Sequence, residues 1–313
     1  MVVSTSRPYA GGEDLQSMIE LLIAVRPAER IADCPSIMDL QEALSIPATQ
    51  AKTRLWVDAT GQLVGFAFVD AYNNLRFEAT PQASSGDVES VMIAWGAECI
   101  QRAMQESAES ITLDASCRED DTKRIAVLER HGFVMQETRS LHMVRPLNEP
   151  IPAPRVPAGF SIRHVDGEHE VEALVALHRA ASGTENLTVE ERLAWMRVPE
   201  YDPELDLLAL GPDGIFAAYC MCSISQEENA RTGRNEGYTD PVATHPGFQR
   251  HGLARALLLT GLRLLKQRGM ETAVLGTSSE NVAMQQAARA VGFRVQSTAL
   301  WFEKRVPRSG EAG

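Results

Sequence analysis

No stretch of this chain approaches the roughly 18 to 20 consecutive apolar residues of a membrane-spanning helix. Its first residues, Met1-Val2-Val3-Ser4-Thr5-Ser6-Arg7, lack the apolar run of a signal peptide. Basic residues are in the minority: 30 Lys and Arg stand against 42 Asp and Glu, a net charge of −12. Nucleic acid and anionic membranes need clustered positive charge, so neither is an expected partner. The acidity suits a cationic amine substrate, or simply keeps the surface soluble. There are five cysteines (Cys34, Cys99, Cys117, Cys220 and Cys222), an odd number lying mostly in apolar segments. They read as reduced thiols of a cytoplasmic protein. Cys220-x-Cys222 suits one face of a strand, and no second Cys/His pair at metal spacing joins it, so no metal is expected. The chain also has no Walker loop, no His-Glu-x-x-His helix and no Gly-x-Ser-x-Gly elbow.

What the chain does have is enough apolar residue, 44% over 313 positions, to fill two cores. Between Pro146 and Pro157 stand five prolines, Pro146, Pro150, Pro152, Pro154 and Pro157, which exclude a helix or a central strand. This stretch predicts a semi-rigid linker over 148–158 separating domains at 1–147 and 159–313. Each side repeats one order of elements. The first half predicts a helix over 13–25, strands at 55–57 and 64–69 around a turn, and a strand at 75–79. A helix over 88–104, a strand at 111–115, a helix over 125–130 and a closing strand at 141–144 follow. The second half predicts a strand at 160–164 and a helix over 171–180. Thr188-Val189-Glu190-Glu191 is a capping box that opens a helix reaching Arg197. A hairpin of 205–210 and 215–224 then turns at Gly211-Pro212-Asp213-Gly214, and a polar loop covers 225–235. Glu129-Arg130-His131-Gly132-Phe133 answers Arg289-Ala290-Val291-Gly292-Phe293 at an offset of 160 residues, the mark of an internal duplication.

Residues 236–292 carry most of the chemistry. Tyr238 to Thr244 reads as a strand interrupted by Pro241 and ended by His245-Pro246-Gly247. Leu253, Ala256, Leu257, Leu264 and Leu265 recur at helical spacing, with Gly269 as the stop. Strand, glycine-containing loop and helix start together make an anion site: the first-turn N–H groups lack intrahelical acceptors and the macrodipole is positive there. Gly252 lets the backbone approach an anion without a Cβ in the way.

Gln249-Arg250-His251-Gly252-Leu253-Ala254 resembles the Gln/Arg-x-x-Gly-x-Gly/Ala loop of the GNAT superfamily of N-acetyltransferases at every defined position. Asn281, followed by Gly292-Phe293, is similar to that superfamily's Asn-containing helix ending in Gly-Phe. The resemblance implies an α/β (α+β) architecture of two tandem GNAT-like domains, each a mixed, mostly antiparallel sheet flanked by helices. The tandem arrangement is also similar to that of the mycothiol synthases, which acetylate an amino-sugar thiol.

It further implies acetyl-CoA as co-substrate. Val242, Ala243 and Thr244 would pair with the pantetheine arm, and the backbone of Gln249, Arg250, His251, Gly252, Leu253, Ala254 and Arg255 would hold the pyrophosphate. The N–H of Val242 or Ala243 would polarise the thioester; Pro241 has none to offer. The Arg250 and Arg255 side chains either bridge to phosphate or remain solvated, and Asn281 either bonds the arm or caps its helix. Glu236, Tyr238 and Asp240 alternate along one strand, and one of them is the expected base. The implied reaction is acetyl transfer to a primary amine of a small molecule or a peptide; the other reading is a non-catalytic acyl-CoA sensor.

Two departures qualify the resemblance. Ala288 stands where many members carry the tyrosine that protonates the leaving thiolate. In the first half the corresponding loop, Pro81 to Asp87, is followed by no Lys or Arg before Gln101 but by Glu89 and Glu98, so no cofactor is expected there.

Overall fold

The structure, a computed structural model, describes residues 5–31, 33–84, 87–106, 111–183 and 187–307. Ser85 and Gly86, part of the stretch Pro81 to Asp87 singled out above, and the terminal residues Met1 to Ser4 lie outside them.

In chain order the first unit contains β1 (Thr5–Pro8), α1 (Gly12–Val25), α2 (Ile37–Leu44), α3 (Pro47–Ala51), β2 (Thr53–Val57), β3 (Leu63–Val69) and β4 (Leu75–Ala79). After these come α4 (Pro81–Ser84), α5 (Val88–Glu106), β5 (Thr112–Arg118), α6 (Thr122–Arg130) and the start of β6 (Val134–Pro146). β1 to β4 form an antiparallel sheet in that order. Because strand side chains alternate, β3 serves two cores: Phe66 and Phe68 meet Met18, Leu22 and Leu40 of α1 and α2, while Ala67 and Val69 meet Met92, Ile93 and Ile100 of α5. The sequence reading has no counterpart to α2. Its start signal is Ser36, whose hydroxyl accepts the Asp39 N–H while the Asp39 carboxylate accepts the Ser36 N–H.

The second unit contains β7 (Ser161–His164), α7 (Val171–Ser182), α8 (Val189–Met196), β8 (Asp206–Leu210), β9 (Phe216–Met221), α9 (Gln226–Thr232), β10 (Glu236–Tyr238) and β11 (Val242–Thr244). It continues with α10 (Leu253–Gln267), β12 (Thr272–Ser278), α11 (Val282–Ala290) and the start of β13 (Arg294–Arg305). Strand order β11-β9-β8-β7 is antiparallel throughout, and β10 runs parallel to β12. α9 occupies the stretch read as a polar loop. Ser225 caps it by accepting the Glu228 N–H, and Gly233 stops it in the left-handed conformation.

The compact units do not follow the chain in two contiguous pieces. One runs to Arg139 and includes the residues from Ala299 onward; the other is Ser140–Thr298. The strand expected at 141–144 to close the first half instead pairs antiparallel with β12, from Ser140 opposite Ser278 to Pro146 opposite Thr272. Ala299 to Arg305 pair with β5 and bring Leu300, Phe302 and Val306 into the core of the first unit. The proline-rich stretch lies on the second unit. Arg145 donates to Pro150 O at 2.9 Å, and Arg263 donates to the carbonyls of Ile151 and Pro152 at 3.3 Å.

Candidate active site at the divergence of two strands

Residues 236–244 belong to two sheets in succession. Glu236–Tyr238 lie along β12, and Val242–Thr244 lie along β9 at a sheet edge. Thr239, fully buried, is the last residue whose backbone is held by β12: its N–H and hydroxyl both donate to Val274 O, at 2.9 and 3.0 Å. The Asp240 carboxylate then accepts the Gly276 N–H at 3.2 Å, and the chain crosses a cis peptide bond into Pro241. Among the described residues no strand pairs with the outer edge of β11.

The direction of each backbone group on β11 follows from its neighbours. Met221 N–H donates to Pro241 O and His245 N–H donates to Ala217 O. Antiparallel pairing alternates, so Ala243, midway and opposite Tyr219, turns its N–H and C=O to β9. Those of Val242 and Thr244 point to the uncovered edge. Of the two amides expected at the thioester, Val242 therefore has the outward N–H and Ala243 does not.

The strand ends at His245, whose Nδ1 accepts the Gly247 N–H at 3.1 Å and so caps the turn Pro246–Phe248. The loop then passes through two left-handed residues, Arg250 (φ 64°) and Gly252 (φ 85°), into α10. A left-handed residue followed directly by a helical one gathers successive N–H groups into a concavity suited to an anion. No side chain caps α10 and no acid stands in its first turn. Gln249, Arg250, His251, Gly252 and Arg255 are exposed, Ala254 half-buried and Leu253 buried, so the loop is anchored at one residue and open at the others. Among the described residues neither Arg250 nor Arg255 has an ion-pair partner. Phe160 props the loop from beneath, its ring centroid 5.8 Å from Phe248 and 5.6 Å from His251.

α10 lies close on β9 because Gly261 faces Cys222: a Cβ at Gly261 would come within 2.5 Å of the Cys222 sulfur. Cys220 and Cys222 share that face, fully or nearly buried, their sulfurs 3.7 Å apart.

The three expected catalytic residues are each bound to scaffold. Glu236 pairs with Arg234 at 3.5 Å, the Tyr238 hydroxyl donates to Glu228 at 2.6 Å, and Asp240 holds Gly276. Asn281 caps α11, its Oδ1 accepting the Met284 N–H at 3.0 Å. Ala288 is fully buried in the apolar core, so a tyrosine there would have to displace packing to reach the strand edge.

On the opposite face, α7 packs across β9 and β11. There Tyr219 and His178 meet, oxygen to Nδ1, at 2.6 Å. Sequence reasoning singled out neither residue, because both fall within ordinary apolar periodicity. Burial, then the charge of Arg192, lower the His178 pKa and favour its neutral form. Arg192 is itself buried in an ion pair with Asp206, and the Tyr201 hydroxyl donates to the same carboxylate at 2.8 Å.

In the first unit, β4 and the start of α5 carry a cluster of ion pairs. Glu78 on β4 is paired with Arg26 and Arg124, each at 2.7 Å, and Arg124 lies 3.6 Å from Glu89 in the first turn of α5. Arg76 donates to the Ser116 hydroxyl at 2.5 Å, tying β4 to β5.

Residues 172–293 match the family described as Acetyltransferase (GNAT) family. The matched residues lie within the second unit and make up less than half of the chain. A mycothiol acetyltransferase of Thermobispora bispora is 30% identical over 167 residues, which cover 52% of this chain and 56% of that relative. The match thus spans little more than half of the relative's length. Among solved structures, a GCN5-related N-acetyltransferase from Sphaerobacter thermophilus superposes with a TM-score of 0.71 at 22% identity, covering 98% of this chain and 97% of that one. A tandem GNAT protein from the clavulanic acid biosynthesis pathway gives 0.68 at 17% identity, covering 99% and 100%. Likeness at these identities establishes the fold, a tandem GNAT arrangement of mixed sheets flanked by helices.

Proposed function

We propose that the second unit binds acetyl-CoA and transfers its acetyl group to a primary amine of a small molecule. One observation carries this reading: the uncovered edge of Val242 and Thr244 leads directly into the uncapped, acid-free start of α10. An extended pantetheine arm has amide groups that can pair with that edge as a strand would. The first-turn N–H groups from Gly252 to Arg255 would hold the pyrophosphate, with Arg250 and Arg255 supplying full charges beside it. Val242 N–H would polarise the thioester carbonyl and stabilise the oxyanion of the tetrahedral intermediate. Glu236, Tyr238 and Asp240, with Glu228 behind them, would receive the acceptor as a cationic amine. Asn281 keeps its amide nitrogen for the arm while its oxygen caps α11.

The relatives named as mycothiol acetyltransferases support an acceptor that is a small thiol-bearing amine. The ion pairs around Glu78 and the acids at the start of α5 support a first unit without cofactor. Ala288, buried and unable to donate a proton, favours the second reading, a non-catalytic acyl-CoA sensor.

The test is calorimetric titration of the full chain with acetyl-CoA, followed by mass spectrometry of acetylated products from a panel of primary amines. That panel includes the non-acetylated amine form of mycothiol. One site per chain and an acetylated amine are expected. Binding without any product would favour the sensor, two sites would overturn the reading of the first unit, and no binding would overturn both functions.

A further inference from the structure

Acetyl transfer needs a base for the acceptor's proton, and each expected candidate already serves the scaffold: Glu236 with Arg234, Tyr238 with Glu228, Asp240 with Gly276. On the α7 side of the same strand lies an imidazole in a different situation. Tyr219 is directly opposite Ala243, the residue between the two outward-facing amides. Tyr219 and Ala243 belong to one apolar cluster with Leu174, Leu177 and Leu208. His178 reaches this cluster from α7, half-buried, with Nδ1 at 2.6 Å from the Tyr219 oxygen. Among the described residues nothing bonds its other nitrogen, Nε2. The partner of one ring nitrogen decides what the other can do.

We propose that His178 is the general base of the second unit, with Nδ1–H donating to Tyr219 and the Nε2 lone pair taking the acceptor's proton. Tyr219 is the positioning residue, setting the tautomer. The proposal rests on the acetyl-transfer reading above. In the step, an N–H bond of the acceptor ammonium breaks as Nε2–H forms. The amine lone pair attacks the thioester carbon, the C–S bond breaks, and its electron pair leaves on the coenzyme A sulfur. The imidazolium returns its proton to that thiolate, and the new amide nitrogen sheds its second proton to solvent. One residue thereby covers both the missing base and the acid absent at Ala288.

The surroundings keep the imidazole neutral between turnovers. Burial and Arg192 act against its charge. The Asp206 carboxylate on β8 is taken by Arg192 and Tyr201, and Glu191 on α8 is held by the Thr188 cap. On β9 the neighbour is the Tyr219 phenol, and Asp240 before β11 holds Gly276. Among the described residues none of these carboxylates forms an ion pair with His178.

The test uses the full chain with acetyl-CoA and the amine panel. His178→Gln is expected to lower kcat/KM about 100-fold or more while acetyl-CoA affinity stays within about twofold. The acid limb of its pH profile should disappear. Tyr219→Phe keeps the core ring and guards against a folding artefact; it should shift that limb and lower kcat/KM about tenfold. Nitrogen-15 NMR of the imidazoles should show His178 with a protonated Nδ1 and a bare Nε2 at neutral pH. Full amine turnover by His178→Gln with an unchanged acid limb overturns the base alone, as does an Nε2–H tautomer. Failure of the unsubstituted chain to acetylate any amine overturns the transfer reading and the base together.

Discussion

Asp87 and Gly252 hold the same backbone conformation at the same structural place, each left-handed (φ 70° and 85°) at the residue before the helix it starts, α5 or α10. The duplicated fold demands that conformation twice, and each half meets it differently. Glycine reaches it without steric cost and leaves the helix start bare. Aspartate is tolerated there, and it hydrogen-bonds the Ser90 hydroxyl one turn on and brings a negative charge. The same backbone starts a helix with no acid in its first turn in one unit, and carries a carboxylate just before the helix in the other.

Gly252→Glu is therefore expected to lower acetyl-CoA affinity by at least tenfold. A side chain at this φ costs about 1–2 kcal/mol of strain, and the carboxylate opposes the pyrophosphate. No atom lies within 4 Å of a Cβ built there, so Gly252→Ala carries the strain without a clash or a charge. Its affinity, measured by the same calorimetry, should fall between those of the other two proteins.

Acid should destabilise the first unit through Glu78. Burial pushes this carboxyl up, but Arg124 and Arg26 outweigh it and hold it below its ordinary value of 4.5. A folded pKa below the unfolded one means stability fully present above about pH 4.5 and lost as pH falls through the folded value. Thermal unfolding of Glu78→Gln should lose that part of the acid dependence. It should also be less stable near neutrality, because Arg26 and Arg124 remain buried without their carboxylate.

Arg145 is almost fully buried and meets no carboxylate at bonding distance among the described residues. It donates to Val291 O at 2.5 Å, Pro146 O at 3.2 Å and Pro150 O at 2.9 Å. Burial lowers its pKa, yet three carbonyls, one near the negative end of α11, still satisfy the charge. Arg145→Met should cost about 2–3 kcal/mol by urea unfolding, since a charged hydrogen bond is worth about 1.5–3 kcal/mol and stranded carbonyls add to the loss. Arg145→Lys cannot span all three acceptors and should recover only part.

Deleting residues from 299 onward should unfold the first unit although no residue of its N-terminal stretch is touched. Phe302 is fully buried and Leu300 and Val306 nearly so, and β5 would lose its antiparallel partner. Loss of Trp56 fluorescence, and proteolysis within 5–139 at protease levels that leave the full chain intact, would report it. A folded truncated first unit would contradict the strand assignment.

Much of this molecule was legible in short stretches of chain. Helical periodicity placed α1, α5, α7 and α10 within a few residues, and Gly252 marked the loop because positive φ is a one-residue requirement. α9 was legible too and passed unread: Ser225-Gln226-Glu227-Glu228 has the Ser/Thr-x-x-Glu pattern of the box at Thr188. What stayed hidden was pairing. Nothing local to Ser140–Pro146 says that it lies on β12 rather than β5, since either sheet offers an apolar, β-favouring neighbour.

By itself the sequence determined the duplicated order of elements, the extended proline-rich stretch and the glycine-led, acid-free start of α10. Each of these follows from dihedral limits, capping and side-chain period acting over a few residues. Only the tertiary structure decided which strands close each unit and which β11 amide faces outward. It also joined His178 to Tyr219, 41 residues away. Hydrogen-bond partners across strands are chosen by long-range packing, and a two-residue alternation then turns that choice into chemistry.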